Sequence, residues 1–306
     1  MQFLYLSENR FTGEIPKEIR NLIKLEELLL EINSFSGSLP MEIFNISGLK
    51  VISLTSNNLS GTFPTNMCSI LPNIEKLFLN NLANIDGTIP HSISNCSKLT
   101  HLELSENKLT GLIPNSLGYL THLQFLNFEE NNLNSDSSLS FLTSLTNCRN
   151  LTFLDVSFNP LNGMLPISVG NLSTSLIKFY IGRCKIKGRI SNEVANLSNL
   201  IDFDLSENNL VEWIPTSIGN LRNLQGLYLS NNKLTGSIGD DICKLQHLDV
   251  IDMTQNQFSG SLPNCLGNIT SLGEIHLGSN ILSSNIPPSL GNLKALVVLD
   301  LSSNNM

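Results

Sequence analysis

The sequence predicts a solenoid of stacked α/β repeats, thirteen units long, in which each unit is a short strand, a turn and a helical or irregular return. Three observations predict it. A phrase recurs: Leu4-Tyr5-Leu6-Ser7-Glu8-Asn9 returns as Leu102-Glu103-Leu104-Ser105-Glu106-Asn107, and its tail as Leu205-Ser206-Glu207-Asn208, Leu229-Ser230-Asn231-Asn232 and Leu301-Ser302-Ser303-Asn304. Its closing asparagine keeps a period: Asn9, Asn33, Asn57, Asn107, Asn131, Asn159, Asn208, Asn232, Asn256, Asn280 and Asn304 fall mostly 24 residues apart. A Gly-x-Ile-Pro phrase or a close variant follows most of them, as in Gly13-Glu14-Ile15-Pro16, Gly37-Ser38-Leu39-Pro40, Gly111-Leu112-Ile113-Pro114 and Gly260-Ser261-Leu262-Pro263. Self-similarity at a fixed period is the mark of a repeat architecture, which grows in one dimension.

Each element has a physical reason. Alternation in a strand sends the two leucines of L-x-L to one side and the x residue to the other. One unit cannot bury its leucines alone, so neighbours stack and their strands form a parallel sheet. The turn after the strand buries backbone amides and carbonyls. An inward asparagine, with two donors and two acceptor lone pairs, can satisfy them from coil to coil as a ladder. Glycine then permits a tight bend and proline fixes an extended backbone. A segment such as Ser217-Ile218-Gly219-Asn220-Leu221 carries the chain to the next strand. Two units lack the asparagine, one centred on Leu77-Phe78-Leu79 and one in which Cys184 takes its place.

One stretch breaks the pattern. Between Asn131 and Asn159, 28 residues apart, the Gly-x-Ile-Pro turn is missing and Ser135 to Cys148 stands instead. Leu139, Leu142 and Leu145 there recur every third residue, which predicts a short helix with one inward stripe, capped by Ser135 or Asp136. The next unit, with Gly170-Asn171-Leu172-Ser173-Thr174-Ser175-Leu176, is one residue longer than usual. We read residues 1–306 as a single repeat domain, irregular at 131–159 and open at both ends.

Composition excludes several function classes. The net charge is −8, with 14% charged residues, so nucleic acid phosphates and anionic lipid heads find no general attraction. No apolar run reaches roughly 18 residues, so the segment has no direct membrane insertion. The N-terminus lacks the basic, apolar and small-residue blocks of a signal peptide. No G-x-S-x-G, H-E-x-x-H, phosphate-binding loop or dinucleotide fingerprint occurs, so no catalytic residue, cofactor or metal is expected. The five histidines fall in different repeats and read as solvent-facing. The six cysteines have no zinc-type spacing and read mostly as small core residues, Cys184 as a ladder member.

The outward strand positions carry the functional expectation. In the middle units they include Glu103, Glu106, Asn127, Glu129, Glu130, Asp155, Phe158, Tyr180, Arg183, Asp202, Asp204, Glu207 and Tyr228. Carboxylates interleaved with aromatics suit a basic, partly apolar peptide or protein ligand laid along a concave face. Trp213 replaces a small or polar residue in Glu212-Trp213-Ile214-Pro215, where it marks a contact on the flank or packs against the next coil. Seven N-x-S/T sequons occur, at Asn45, Asn58, Asn95, Asn150, Asn171, Asn196 and Asn268. Five of them, Asn45, Asn95, Asn171, Asn196 and Asn268, hold the same place in their repeats, so glycans of a secreted parent would line one flank.

The phrase L-x-x-L-x-L-S-x-N-x-L-S-G-x-I-P-x-x-I-G-N-L, running through the whole chain, resembles the plant-specific class of leucine-rich repeat. That resemblance implies a right-handed leucine-rich repeat solenoid with its parallel sheet on the concave face. It also implies the ligand-recognition ectodomain of a plant receptor-like kinase, held at the extracellular face of the plasma membrane, with a co-receptor kinase as a further partner and an immune or developmental role. The irregular stretch and the unit after it are similar to the receptor-kinase subfamily that senses bacterial proteins. A secreted polygalacturonase-inhibitor-like protein that binds a microbial enzyme is the alternative. The paired-cysteine caps, transmembrane helix and kinase domain that the resemblance implies are not in this sequence, which reads as a fragment.

Overall fold

The computed structural model describes residues 1–306. The chain forms two compact units, Met1–Asp136 with Ser140–Pro160, and Ser137–Leu139 with Leu161–Met306. Thirteen main strands occur, one per predicted repeat, each three residues long. The first unit holds Phe3–Tyr5, Glu27–Leu29, Val51–Ser53, Lys76–Phe78, His101–Glu103, Phe125–Asn127 and Phe153–Asp155. The second holds Lys178–Tyr180, Asp202–Asp204, Gly226–Tyr228, Val250–Asp252, Glu274–His276 and Val298–Asp300.

Pairing is parallel, and the register follows the repeat. Leu102 stands opposite Leu126, and Leu126 opposite Leu154. In the second unit Phe179 stands opposite Phe203, and Phe203 opposite Leu227. These central residues are fully buried. A slip of one residue would turn the whole apolar row to solvent, so burial opposes any such slip.

The asparagine ladder forms as predicted. Asn232 Nδ2 donates to Leu205 O of the preceding coil at 2.9 Å and to Leu229 O of its own coil at 3.2 Å. Its Oδ1 accepts from Leu210 N at 2.9 Å. Asn208, Asn256 and Asn280 repeat this arrangement in the second unit, and Asn57, Asn107, Asn131 and Asn159 in the first. Cys184 lies buried at the ladder position, with its thiol 3.2 Å from Gly182 O and its N–H donated to Asn208 Oδ1.

Past the turn the structure adds an element that the pattern did not announce. Short strands pair along a second row, Ser34–Ser38, Asn57–Thr62 and Leu82–Asp86 in the first unit and Asn209–Glu212, Lys233–Gly236 and Gln257–Gly260 in the second. The return segments are mostly 3-10 turns such as Thr216–Asn220, entered from an extended proline. Their glycine has a packing reason. A Cβ on Gly219 would lie 2.6 Å from Asp241 O in the next coil, so the coils approach through that missing side chain.

Two expectations need correction. The irregular stretch does form a helix, Ser140–Leu145, but its inward stripe is Phe141, Leu142 and Leu145. Leu139 is buried just before it at a φ of 50°, and Asp136 Oδ1 accepts from Ser140 N at 3.0 Å. The cysteines are not mostly single core residues. Cys68–Cys96 and Cys243–Cys265 are disulfides, with Cα atoms 4.9 and 5.7 Å apart, and only Cys148 and Cys184 are free thiols. Separations of 28 and 22 residues are close to one repeat, so stacking brings each pair onto adjacent coils.

Two outcomes follow from this packing. Asn208→Ala leaves turn groups unpaired and should cost about 1–3 kcal/mol, while Leu205→Ala opens a core cavity and should cost about 2–5 kcal/mol. Thermal melts of either variant that overlay the parent would show these side chains to be idle. Serine at both Cys243 and Cys265 should cost about 2–4 kcal/mol. Thiol labelling of the unfolded, unreduced chain should find the free thiols of Cys148 and Cys184 alone, and reactive sulfur at Cys243 would contradict the pairing.

Candidate functional site

In the first unit the candidate residues divide by strand position. Glu103, Asn127 and Asp155, each last in its strand, are buried. Each closes its own turn: Glu103 Oε1 accepts from Ser105 N at 2.9 Å, Asn127 Oδ1 from Glu129 N at 2.9 Å and Asp155 Oδ1 from Ser157 N at 2.8 Å. Asn127 Nδ2 also donates to Glu103 Oε2 at 3.0 Å. A short polar side chain at this place bonds the backbone two residues on, which explains its recurrence without any ligand. Glu129 is half-buried, while Glu106, Glu130 and Phe158 are exposed at the turn tips. Their positive φ recurs in almost every coil and belongs to the fold, not to a strained site.

The same sheet face carries a row that the phrase-based reading passed over. His101 and Phe125 stack at 5.8 Å between ring centroids, and Phe125 and Phe153 at 4.4 Å, both nearly parallel. Phe78 meets His101 at 6.2 Å, tilted. These rings are half-exposed. His101, Phe125 and Phe153 occupy the first outward position of their strands, ahead of the repeated L-S-x-N words. Aligning the units on their leucines would have placed the three rings in one column.

Crowding sets the electrostatics. Burial pushes the Glu103 carboxyl up, and hydrogen bonds from Ser105 and Asn127 oppose the shift. Burial also raises Glu129, and the neighbouring Glu106, Glu130 and Glu103 add to it. The His101 imidazole is lowered by burial and by Lys76. The face therefore offers apolar rings beside carboxylates that repel one another.

The second unit is organised differently. Asp204 closes its turn, accepting from Ser206 N at 2.7 Å, and burial raises its pKa. Arg183 pairs with Glu207 at 2.5 Å, both exposed. The Tyr180 hydroxyl donates to Asp202 Oδ2 at 3.2 Å, and Lys178 reaches the same carboxylate at 3.3 Å. A Cβ on Gly226 would stand 2.8 Å from the Tyr228 ring, so glycine makes room for the half-buried tyrosine to lie over its strand. Burial first, then Asp202 and Asp204, raise the Tyr228 hydroxyl.

All seven sequon asparagines are exposed. Asn95, Asn171, Asn196 and Asn268 end their return segments and Asn45 caps one. Trp213 is 60% exposed, so it packs only partly on its neighbours. No helix is long and apolar enough to cross a membrane.

Comparison with known proteins fits this architecture. A leucine-rich repeat region family matches residues 179–306, and two further leucine-rich repeat families match residues 72–133 and residues 1–22, 48–70 and 150–172. The chain belongs to the leucine-rich repeat family. Its repeats are of the kind found in plant receptor-kinase ectodomains. The LRR receptor-like serine/threonine-protein kinase EFR of Arabidopsis thaliana is 40% identical over 88 residues, which are 28% of this chain and 8% of that protein. Among solved structures, PEPR1 with AtPEP1 is similar at 35% identity and a TM-score of 0.91, covering 99% of this chain and 42% of that one. The plant peptide hormone receptor RGFR1 in complex with RGF2 is similar at 34% identity and a TM-score of 0.87, covering 99% of this chain and 51% of that one. The chain thus spans about half or less of the length of these receptors.

The acid cluster gives a pH test. Raised carboxyl pKa values mean that the folded state binds protons more readily, so the penalty on folding grows as pH rises through the carboxylate range. Glu129→Gln removes that charge and should raise the melting temperature at pH 7. The gain should shrink on acidification, where the parent carboxyl is protonated in any case. An equal gain at pH 7 and pH 3.5 would mean that the substitution acts through packing.

Proposed function

We propose that the chain is part of the extracellular ligand-recognition region of a plant receptor-like kinase and that the solvent face of its main strands holds a peptide or protein ligand. The observation that carries this reading is the stacked row His101, Phe125 and Phe153, half-exposed beside Glu106, Glu129 and Glu130. Apolar rings left partly in water supply the hold once covered, and the acids select a basic partner and speed its approach. In the second unit Tyr180, Tyr228, Arg183 and Glu207 offer further contacts on the corresponding face. Glu103, Asn127, Asp155 and Asp204 line these surfaces mainly through the turns that they close.

Several features support the setting. Disulfides persist in oxidising compartments, and this chain has two. The similar receptors PEPR1 and RGFR1 are each described in complex with a second component, AtPEP1 and RGF2. A co-receptor kinase is the second partner that this reading implies, and a role in sensing bacterial proteins is its narrower form.

The test is surface-immobilised kinetics with synthetic peptides that vary in basic and aromatic content. Basic aromatic peptides should bind best. Phe125→Ala should mainly speed dissociation, at a cost of about 1–3 kcal/mol if the ring is a hot spot. Glutamine at Glu106, Glu129 and Glu130 together should slow association and flatten its salt dependence. A preference for acidic peptides, or unchanged kinetics in both variants, would remove the ligand from this face.

A further inference from the structure

Away from the strand face, three departures from the repeat meet in two adjacent coils of the second unit. The glycine of Gly-x-Ile-Pro has a left-handed backbone in most units, as at Gly111 and Gly236 with φ of 78° and 82°, and Ser284 stands in for it in a later unit at φ 74°. Glu212 takes that place at φ 68°, a conformation that a side-chain-bearing residue rarely adopts. The next residue, where other units carry a small, polar or aliphatic side chain, is Trp213, 60% exposed. In the following coil the proline of the phrase is replaced by Gly239, and a Cβ built there would meet nothing within 4 Å. The missing ring opens what the indole walls.

The result is an exposed indole that lines two hollows. One, of about 320 Å³, is lined by Trp213, Pro215, Thr216, Ser237, Gly239 and Asp241. The other, of about 140 Å³, lies between the indole and Ile167, Arg189 and Asn192 of earlier coils. The flanking charges are already paired: Glu212 with Arg189 at 3.7 Å and Asp241 with Lys244 at 2.6 Å. A cationic peptide finds little unpaired acid in the larger hollow, and an anion finds no free cation there. The larger hollow is lined by an aromatic ring together with two hydroxyls, a carboxylate and two glycines, an apolar wall with a few polar groups.

We infer that this cleft binds a neutral oligosaccharide, one pyranose lying with its C–H face on the Trp213 indole and its hydroxyls bonded to Thr216, Ser237 and Asp241. Sugars with all-equatorial hydroxyls present the unbroken apolar face that such a ring can cover. This site is independent of peptide recognition on the strand face and stands or falls separately from it.

The chain has one tryptophan, so its emission reports on this cleft alone. Titration of the whole chain with cellohexaose should give a saturable change in that emission. Gly239→Pro fills the cleft with the residue that most units carry there, and its φ of −78° accepts proline. That variant should weaken binding at least ten-fold with an undiminished melting temperature. Trp213→Ala should abolish the binding heat in calorimetry, and a heptalysine peptide should give no saturable change. The proposal is overturned if cellohexaose leaves the emission of the folded chain unchanged, if Gly239→Pro binds at full strength, or if heptalysine saturates the site and the sugar does not.

Discussion

The ladder asparagine, carried by eleven of the thirteen coils, is the interaction on which the rest depends. Each coil ends its strand by folding inward over carbonyls that the strand ladder cannot reach. The asparagine amide bridges two of them, one in its own coil and one in the coil before, while its oxygen takes an N–H from that earlier coil. Buried polar groups left unpaired are costly, so this side chain dictates both the shape of the turn and the stacking of the coils. Stacking in turn sets the outward residues side by side at strand spacing, about 4.8 Å. The close stack of Phe125 on Phe153 is a product of that register as much as of the rings themselves.

The period, the strands, the inward leucines and the ladder could be read from the sequence because each recurs in most of the thirteen units under one constraint. What escaped was whatever depends on comparing neighbouring coils. The disulfides hid behind separations of 22 and 28 residues, which look remote in a chain and are adjacent in a stack. The ring column hid because its members lie outside the repeated words. Leu139 recurs in step with Leu142 and Leu145 yet sits outside the helix, because the backbone turns left-handed there.

The candidate ligand residues show a subtler confusion. Outward polarity looked like recognition, yet a carboxylate or amide at the strand end serves the turn, as at Glu103, Asn127, Asp155 and Asp204. The same bond recurs at Asp252 and Asp300, outside the units singled out for binding. The turn-tip acids and the first-position rings have no such structural duty, and the flank around Trp213 breaks the repeat outright. Function is best sought where the repeat does not need the residue.

The ladder asparagine holds the turn and the stacking of the coils together. Residue-resolved hydrogen exchange on the parent and on Asn232→Ala tests it most directly. The Leu210 amide, which donates to Asn232 Oδ1, should be strongly protected in the parent. In the variant it should lose that protection along with the turn amides of its own and the adjoining coil, while distant coils keep theirs. Unchanged protection at Leu210, or a uniform loss along the whole chain, would contradict it.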